Sequence, residues 1–167
     1  DAAGNAATAN TAESFLYDIT APSISNVVAS WGDYLNAAED NADGTVTVTT
    51  LNAADTSTVT VTGMGVTDTC STGSNSCIAT VEAAHLQALS HGTTYTITVA
   101  LTADAAGNTA TSDTGDTFLY DVTAPSISNV VASWGDYLNA AEDNSDGTVT
   151  VTTLNSANGA TVTVTGM

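Results

Sequence analysis

Neither lysine nor arginine occurs among the 167 residues, and 18 aspartates and glutamates leave a formal net charge of −18. Without a guanidinium fork, an ammonium point charge or a counterion-releasing surface, a nucleic acid is excluded as a partner. The same absence removes a Schiff-base lysine and a P-loop lysine. Long apolar runs are also missing, none approaching the roughly 20 residues that cross a bilayer as a helix, so no membrane insertion is expected. No segment has the basic start of a signal peptide, and an export signal is expected outside this chain. Proline and cysteine occur twice each.

What remains is a composition that folds, with 43% hydrophobic and only 11% charged residues. The charge is one-signed. Two carboxylates about 4 Å apart repel by roughly 4 kcal/mol at an effective dielectric near 20. No side-chain ammonium or guanidinium offsets this, so backbone N–H groups, turn dipoles, protonation or bound cations must.

Residues 1–64 recur at 104–167, an offset of 103, with 52 of 64 positions identical. The stretch 21–41 is repeated without change at 124–144. A period near 100 residues is the size of one β-sandwich domain, well above the 20 to 50 of solenoid repeats. The expected organisation is therefore a window on a tandem array: 1–18 as the last strand of a preceding repeat, 19–121 as a complete repeat, and 122–167 as the first part of the next. The boundaries are placed at the only prolines, in Asp18-Ile19-Thr20-Ala21-Pro22 and Asp121-Val122-Thr123-Ala124-Pro125, where the fixed φ of proline suits a short, stiff linker.

Within the repeat, Thr45-Val46-Thr47-Val48-Thr49 and Thr58-Val59-Thr60-Val61-Thr62 alternate strictly, as strands with one face on a core do. Tyr95, Ile97, Val99 and Leu101 share a face of a third strand. Further strand-like stretches at 23–30, 66–70, 77–81 and 109–120 bring the count to about seven, the number of an all-β immunoglobulin-like sandwich. Leu86 and Leu89 mark one or two helical turns before Gly92. Tyr95 stands where such folds hold a tyrosine whose hydroxyl bonds nearby backbone.

The D-x-T-A-P linkers, L-N-A-A-E at 35–39 and 138–142, A-x-L-Q-A-L at 84–89 and D-A-A-G-N at 1–5 and 104–108 cover most of the unit. Together they resemble the tandem bacterial Ig-like repeats that form the extender regions of large RTX and biofilm-associated surface adhesins. The resemblance implies a secreted, calcium-stiffened spacer at the cell surface with no catalytic activity. It also implies neighbouring repeats of the same chain as partners.

Immunoglobulin strand order places the acids at the two poles of the unit. Asp33, Asn36, Glu39, Asp40 and Asp43 fall in the A–B loop, expected at the exit pole with Asp116 and Asp121. Asp104 falls in the F–G turn, expected at the entry pole beside Asp18. Asp136, Asn139 and Glu142 repeat the A–B set. Calcium takes six to eight oxygens in a flexible shell of carboxylates and carbonyls, which such loops offer, so Ca2+ is expected at each junction. The alternative is that Asp, Asn and Gly there only form turns. No EF-hand or glycine-rich RTX nonapeptide is present.

Cys70 and Cys77 flank a short loop between two strand-like stretches and are expected to form a disulfide, stabilising by roughly 2 kcal/mol. His85 and His91 match no metal motif, and no serine sits in a nucleophile elbow, so no enzyme is expected. Trp31 and Tyr34 are expected to pack. An exposed pair would instead stack on a sugar, making a carbohydrate-binding module the second functional reading. A third is a filament in which strands from another copy complete 122–167.

Overall fold

The computed structural model describes residues 2–7, 12–54, 56–111, 113–157 and 159–165, with the backbone alone for Asp113 and Thr114. Its elements in chain order are β1 (Ser23–Ala29), β2 (Tyr34–Leu35), β3 (Gly44–Leu51), β4 (Thr58–Thr62), β5 (Thr67–Ser71), β6 (Ser76–Val81), α1 (Ala83–Gln87), β7 (Thr94–Leu101), β8 (Asp113–Tyr120), β9 (Ser126–Ala132) and β10 (Val149–Leu154). The order β1-β3-β6 forms one sheet, β2-β8-β7-β4-β5 a second, and β9 with β10 a third. The first two are the A-B-E and A′-G-F-C-C′ arrangement of an immunoglobulin-like sandwich, with β5 on the edge of the C-F-G sheet. Among the described residues the elements are all β apart from one short helix, as the alternation predicts.

The chain divides into two compact units, and strands β3, β6, β7 and β8 run from one into the other. The first comprises Asp1–Ser30, Thr45–Thr80 and Thr96–Asp116. Here the Thr-Val alternation acts as expected: Val46, Val48, Val59, Val61, Ile97 and Val99 are fully buried while the threonines between them turn outward. Burying six such side chains is worth about 1.5–3 kcal/mol each before entropy is counted. β1 pairs antiparallel with β3, and β4 pairs antiparallel with both β5 and β7. Gly115 of β8 lies so close to β1 that an added Cβ would stand 2.5 Å from Val27, so no larger residue fits there without movement.

The cysteines are bonded, as expected, but their strands part company. Ser74 and Asn75, with φ of 52° and 63°, make a tight two-residue turn closed by the Gly73–Ser76 bridge. Beyond it β5 joins one sheet and β6 the other, so the Cys70–Cys77 disulfide ties the two sheets at their edge.

The second unit comprises Trp31–Gly44, Val81–Tyr95 and Thr117–Met167. Its core is built on rings. The Phe118 ring meets Trp31 edge-on with centroids 5.2 Å apart and stacks on Tyr95 at 5.6 Å. Leu35 and Leu86 are fully buried with them. Gly44 is required beneath Trp31, because an added Cβ would fall 2.4 Å from the indole. The expected tyrosine contact is present, the Ser90 N–H donating to Tyr95 Oη at 2.8 Å. The helix stops at Ala88, four residues before Gly92, so glycine does not end it as expected. Gly92, at φ 77°, instead turns the chain into β7 and donates its N–H to the Tyr120 carbonyl.

β2 was not expected. It is two residues long and pairs in parallel with β8, Tyr34 with Leu119 and Leu35 with Tyr120. Its bonds reach a segment more than eighty residues onward, which local periodicity cannot reveal.

Candidate junction site

Each unit carries one D-x-T-A-P stretch together with acidic turns. In the first, Asp104 closes its own turn: Oδ1 accepts from the N–H groups of Ala106 at 2.9 Å and Asn108 at 2.8 Å, and Oδ2 accepts from Asn108 Nδ2 at 2.8 Å. The Asn108 side-chain amide is the main reason that the Asp104 carboxyl lies below its ordinary value, with the N–H groups of Asn108, Ala106 and Gly107 adding to the effect against a smaller cost of burial. The Asn108 amide also donates to the carbonyl of Asp18 at 3.2 Å. The D-A-A-G-N turn is thus fastened to the first linker. Asp18 Oδ1 accepts the Thr20 N–H at 2.9 Å, fixing the linker's first bend.

In the second unit the L-N-A-A-E stretch forms a reciprocal cap. The backbone N–H and the amide of Asn36 donate to Glu39 Oε2 at 3.1 and 2.7 Å, while Asn36 Oδ1 accepts from Ala38 N at 2.8 Å. Asn139 and Glu142 repeat the arrangement, Asn139 N donating to Glu142 Oε2 at 3.0 Å and its amide to the same oxygen. Asp43 Oδ1 accepts the Ala83 N–H at 2.9 Å, capping α1 from another loop, since Glu82 supplies no side-chain cap.

Asp33 and Asp136 are exposed, and the Asp33 carbonyl accepts the Leu119 N–H. Asp40 is buried, and its Oδ2 accepts the Tyr120 hydroxyl at 2.7 Å. That bond, with burial second, raises Tyr120 to about 12. Asp116 lies within β8, five residues before Asp121, or about 16 Å along an extended strand.

The second linker is held more elaborately. Asp121 Oδ1 accepts the Thr123 N–H at 3.0 Å, repeating the bend at Asp18. His91 lies against it, with Nδ1 3.5 Å from Asp121 Oδ1 and accepting from Val122 N at 3.3 Å, and Nε2 3.0 Å from the Thr123 hydroxyl. A cleft of about 310 Å³ separates Asn36, Ala37 and Ala38 from Asp121 through Pro125. Linker and cap therefore share one surface of this unit. The role of His91 was missed from sequence because a histidine outside a metal motif carries no signal.

Among the described residues no three His, Cys, Asp or Glu side chains form a group that could hold a metal. The carboxylate oxygens named above already accept N–H or O–H groups, which is the turn-forming role. Asp18 stands beside the Asp104 turn, and Asp121 beside Asn36. Trp31 packs as expected, buried under Gly44 and Phe118, whereas Tyr34 is exposed and does not, so this pair presents no stacking platform.

No family model matches the sequence, and no curated protein matches it. Among solved structures the chain is similar to a bacterial immunoglobulin-like domain from the M. primoryensis ice-binding adhesin, at 28% identity over 57% of this chain and 96% of that one, with a TM-score of 0.43. It is also similar to structures of a 1.5-MDa bacterial ice-binding adhesin described for host cell surface retention and of a Ca2+-stabilized adhesin of an Antarctic bacterium. These share 26% and 25% identity, with TM-scores of 0.44 and 0.45, over 61% and 70% of this chain. The chain spans only 32% and 28% of those two.

Proposed function

We propose that the chain is a non-catalytic spacer of an extracellular surface adhesin, whose repeats are locked end to end by calcium. One observation carries this reading: the acidic turns belong to the linkers. The Asp104 turn is bonded to the first linker through Asn108, and the Asn36 cap faces the second linker across a narrow cleft. In a continuous array each D-x-T-A-P linker would lie between the A–B cap of one repeat and the D-A-A-G-N turn of the next. Asp121, Asp33 and Asn36 would then share a junction with a second Asp104-type turn, and their free oxygens and carbonyls would hold the ion. Calcium supplies charge neutralisation there, which no lysine or arginine of the chain can provide.

The reading is tested on a linker flanked by both an A–B cap and a D-A-A-G-N turn. The test therefore uses residues 19–121 joined in tandem three times. Calcium should raise the melting temperature and lengthen the particle in small-angle scattering, and EGTA should reverse both. Unchanged dimensions and melting temperature would sink the calcium-rod reading.

A further inference from the structure

On one side of the sandwich both sheets end. The second sheet stops at β5 and the first at β6, and the Ser74–Asn75 turn with the Cys70–Cys77 bond holds those two edges together. β5 is well formed as a template for a further strand. It pairs with β4 in unbroken register from Thr58 with Ser71 to Thr62 with Thr67, and its outward Thr67, Thr69 and Ser71 are exposed and uncharged. The other ends of the two sheets are blunted, β1 by a shift of register between Ile24 and Asn26 and β2 by being two residues long. β5 has neither device, and neither β5 nor β6 contains a lysine or a proline.

The one charged residue in these two strands is Asp68, and its side chain is turned inward. It alternates with the exposed Thr67 and Thr69, shares its face with Cys70 and stands opposite Val61, which is 0% exposed. Its Oδ2 is buried and accepts no hydrogen bond from any described residue. An oxygen left in that state costs stability, so folding alone gives no reason for a carboxylate here. We propose that Asp68 guards this side of the sandwich against strand addition, and that the strand it turns away is β5 of a second copy. An added strand sets its own inward side chains beside Asp68 and takes the rest of the carboxylate out of water, burying a charge that has no partner. Antiparallel pairing centred on Asp68 brings two carboxylates face to face. Centred on Thr69, the same pairing sets each carboxylate beside Cys70 of the other copy, where no donor meets it. The guard acts far from the linkers and does not depend on calcium.

The test compares the 167-residue chain with its Asp68→Val variant in EGTA, so that calcium plays no part. Calorimetry of the dilute variant should show a higher melting temperature than the parent, because the stranded oxygen is gone. Sedimentation velocity between about 5 and 500 µM should show self-association tighter than the parent's by about tenfold or more. Hydrogen exchange locates the contact: in the variant, the amides of 67–71 should slow as concentration rises, and in the parent they should not. Asp68→Asn keeps the volume and removes the charge, so it should tighten association in the same direction and replaces the valine variant if that one does not fold. Glu13→Gln removes the same charge from an exposed residue and should change neither reading. A valine variant that melts lower, that associates no more tightly than the parent, or that gains protection only outside 67–71 overturns the proposal. So does equal association in Glu13→Gln, which would reduce Asp68 to one unit of net charge.

Discussion

Residues 19–64 and 122–165 are nearly the same sequence in two surroundings, and the contrast separates what a segment settles by itself from what it needs its partners for. The local features are duplicated. β9 and β10 pair in the register of β1 and β3, with the same irregularity at Ser128 as at Ser25, and each serine donates to a carbonyl at 3.1 Å. Gly32 and Gly135 both have φ of 66°. The Asn–Glu cap forms in both. Burial is not duplicated: Leu35 and Val61 are 0% exposed, against 58% for Leu138 and 44% for Val164. Even strand formation differs, since Thr58–Thr62 is β4 while the same five residues at 161–165 form no strand. β4 has β5 and β7 to bond with. A pentapeptide with high strand propensity and no ladder partner has no sheet to join.

The largest effect that can break this comparison comes from the rings. Phe118 is 1% exposed and Phe15 89%. Phe118→Ala should cost about 3–5 kcal/mol and Phe15→Ala less than about 0.5, measured as calorimetric melting of the dilute chain. Equal effects would mean that residues 12–18 are already docked in the monomer. Next is the disulfide, present in one surrounding alone. Reducing Cys70–Cys77 opens a small loop and should remove about 2–3 kcal/mol from the unit that contains it. It should leave the amide spectrum of β9 and β10 unchanged.

Tyrosine gives a smaller and more diagnostic contrast. Tyr120 is raised to about 12 from an ordinary 10, first by its bond to Asp40, while Tyr17 is exposed. A group raised in the folded state contributes stability in full below its unfolded value and loses it as pH climbs through the folded one. Stability should therefore fall between about pH 10 and pH 12, in a limb that Tyr120→Phe removes at a cost of about 1–2 kcal/mol at neutral pH. A profile identical in wild type and Tyr120→Phe would show that the Asp40 bond contributes nothing.

The features legible in the sequence share one property: they repeat or alternate over a few residues. Val46, Val48, Val59 and Val61 announced their buried face, and Tyr95 announced its place. What stayed hidden depends on residues far apart in the chain. β2 exists because β8 passes beside it, Asp40 is buried because Tyr120 arrives eighty residues later, and His91 meets its linker thirty residues on. For the acidic turns, sequence showed that carboxylates gather near the linkers. It did not show that an oxygen of each of Asp18, Glu39, Asp43, Asp104, Asp121 and Glu142 would already be accepting an N–H group.

The smallest expected effect tests the claim that the caps are purely local. Asn36 and Asn139 make the same bonds to Glu39 and Glu142, one over a filled core and the other beside an exposed one. Replacing an Asn cap with Ala costs about 1 kcal/mol. If that cost is local, Asn36→Ala and Asn139→Ala should each speed hydrogen exchange of the captured amides, those of Ala38 and Ala141, by about fivefold, which is RT ln 5 or roughly 1 kcal/mol. A much larger loss at Ala38 than at Ala141 would mean that the core transmits the damage, through the neighbouring Asp40–Tyr120 bond. The two copies would then differ even in the turns that look identical, and the acidic turn at Asn36 would be a part of the core beside it.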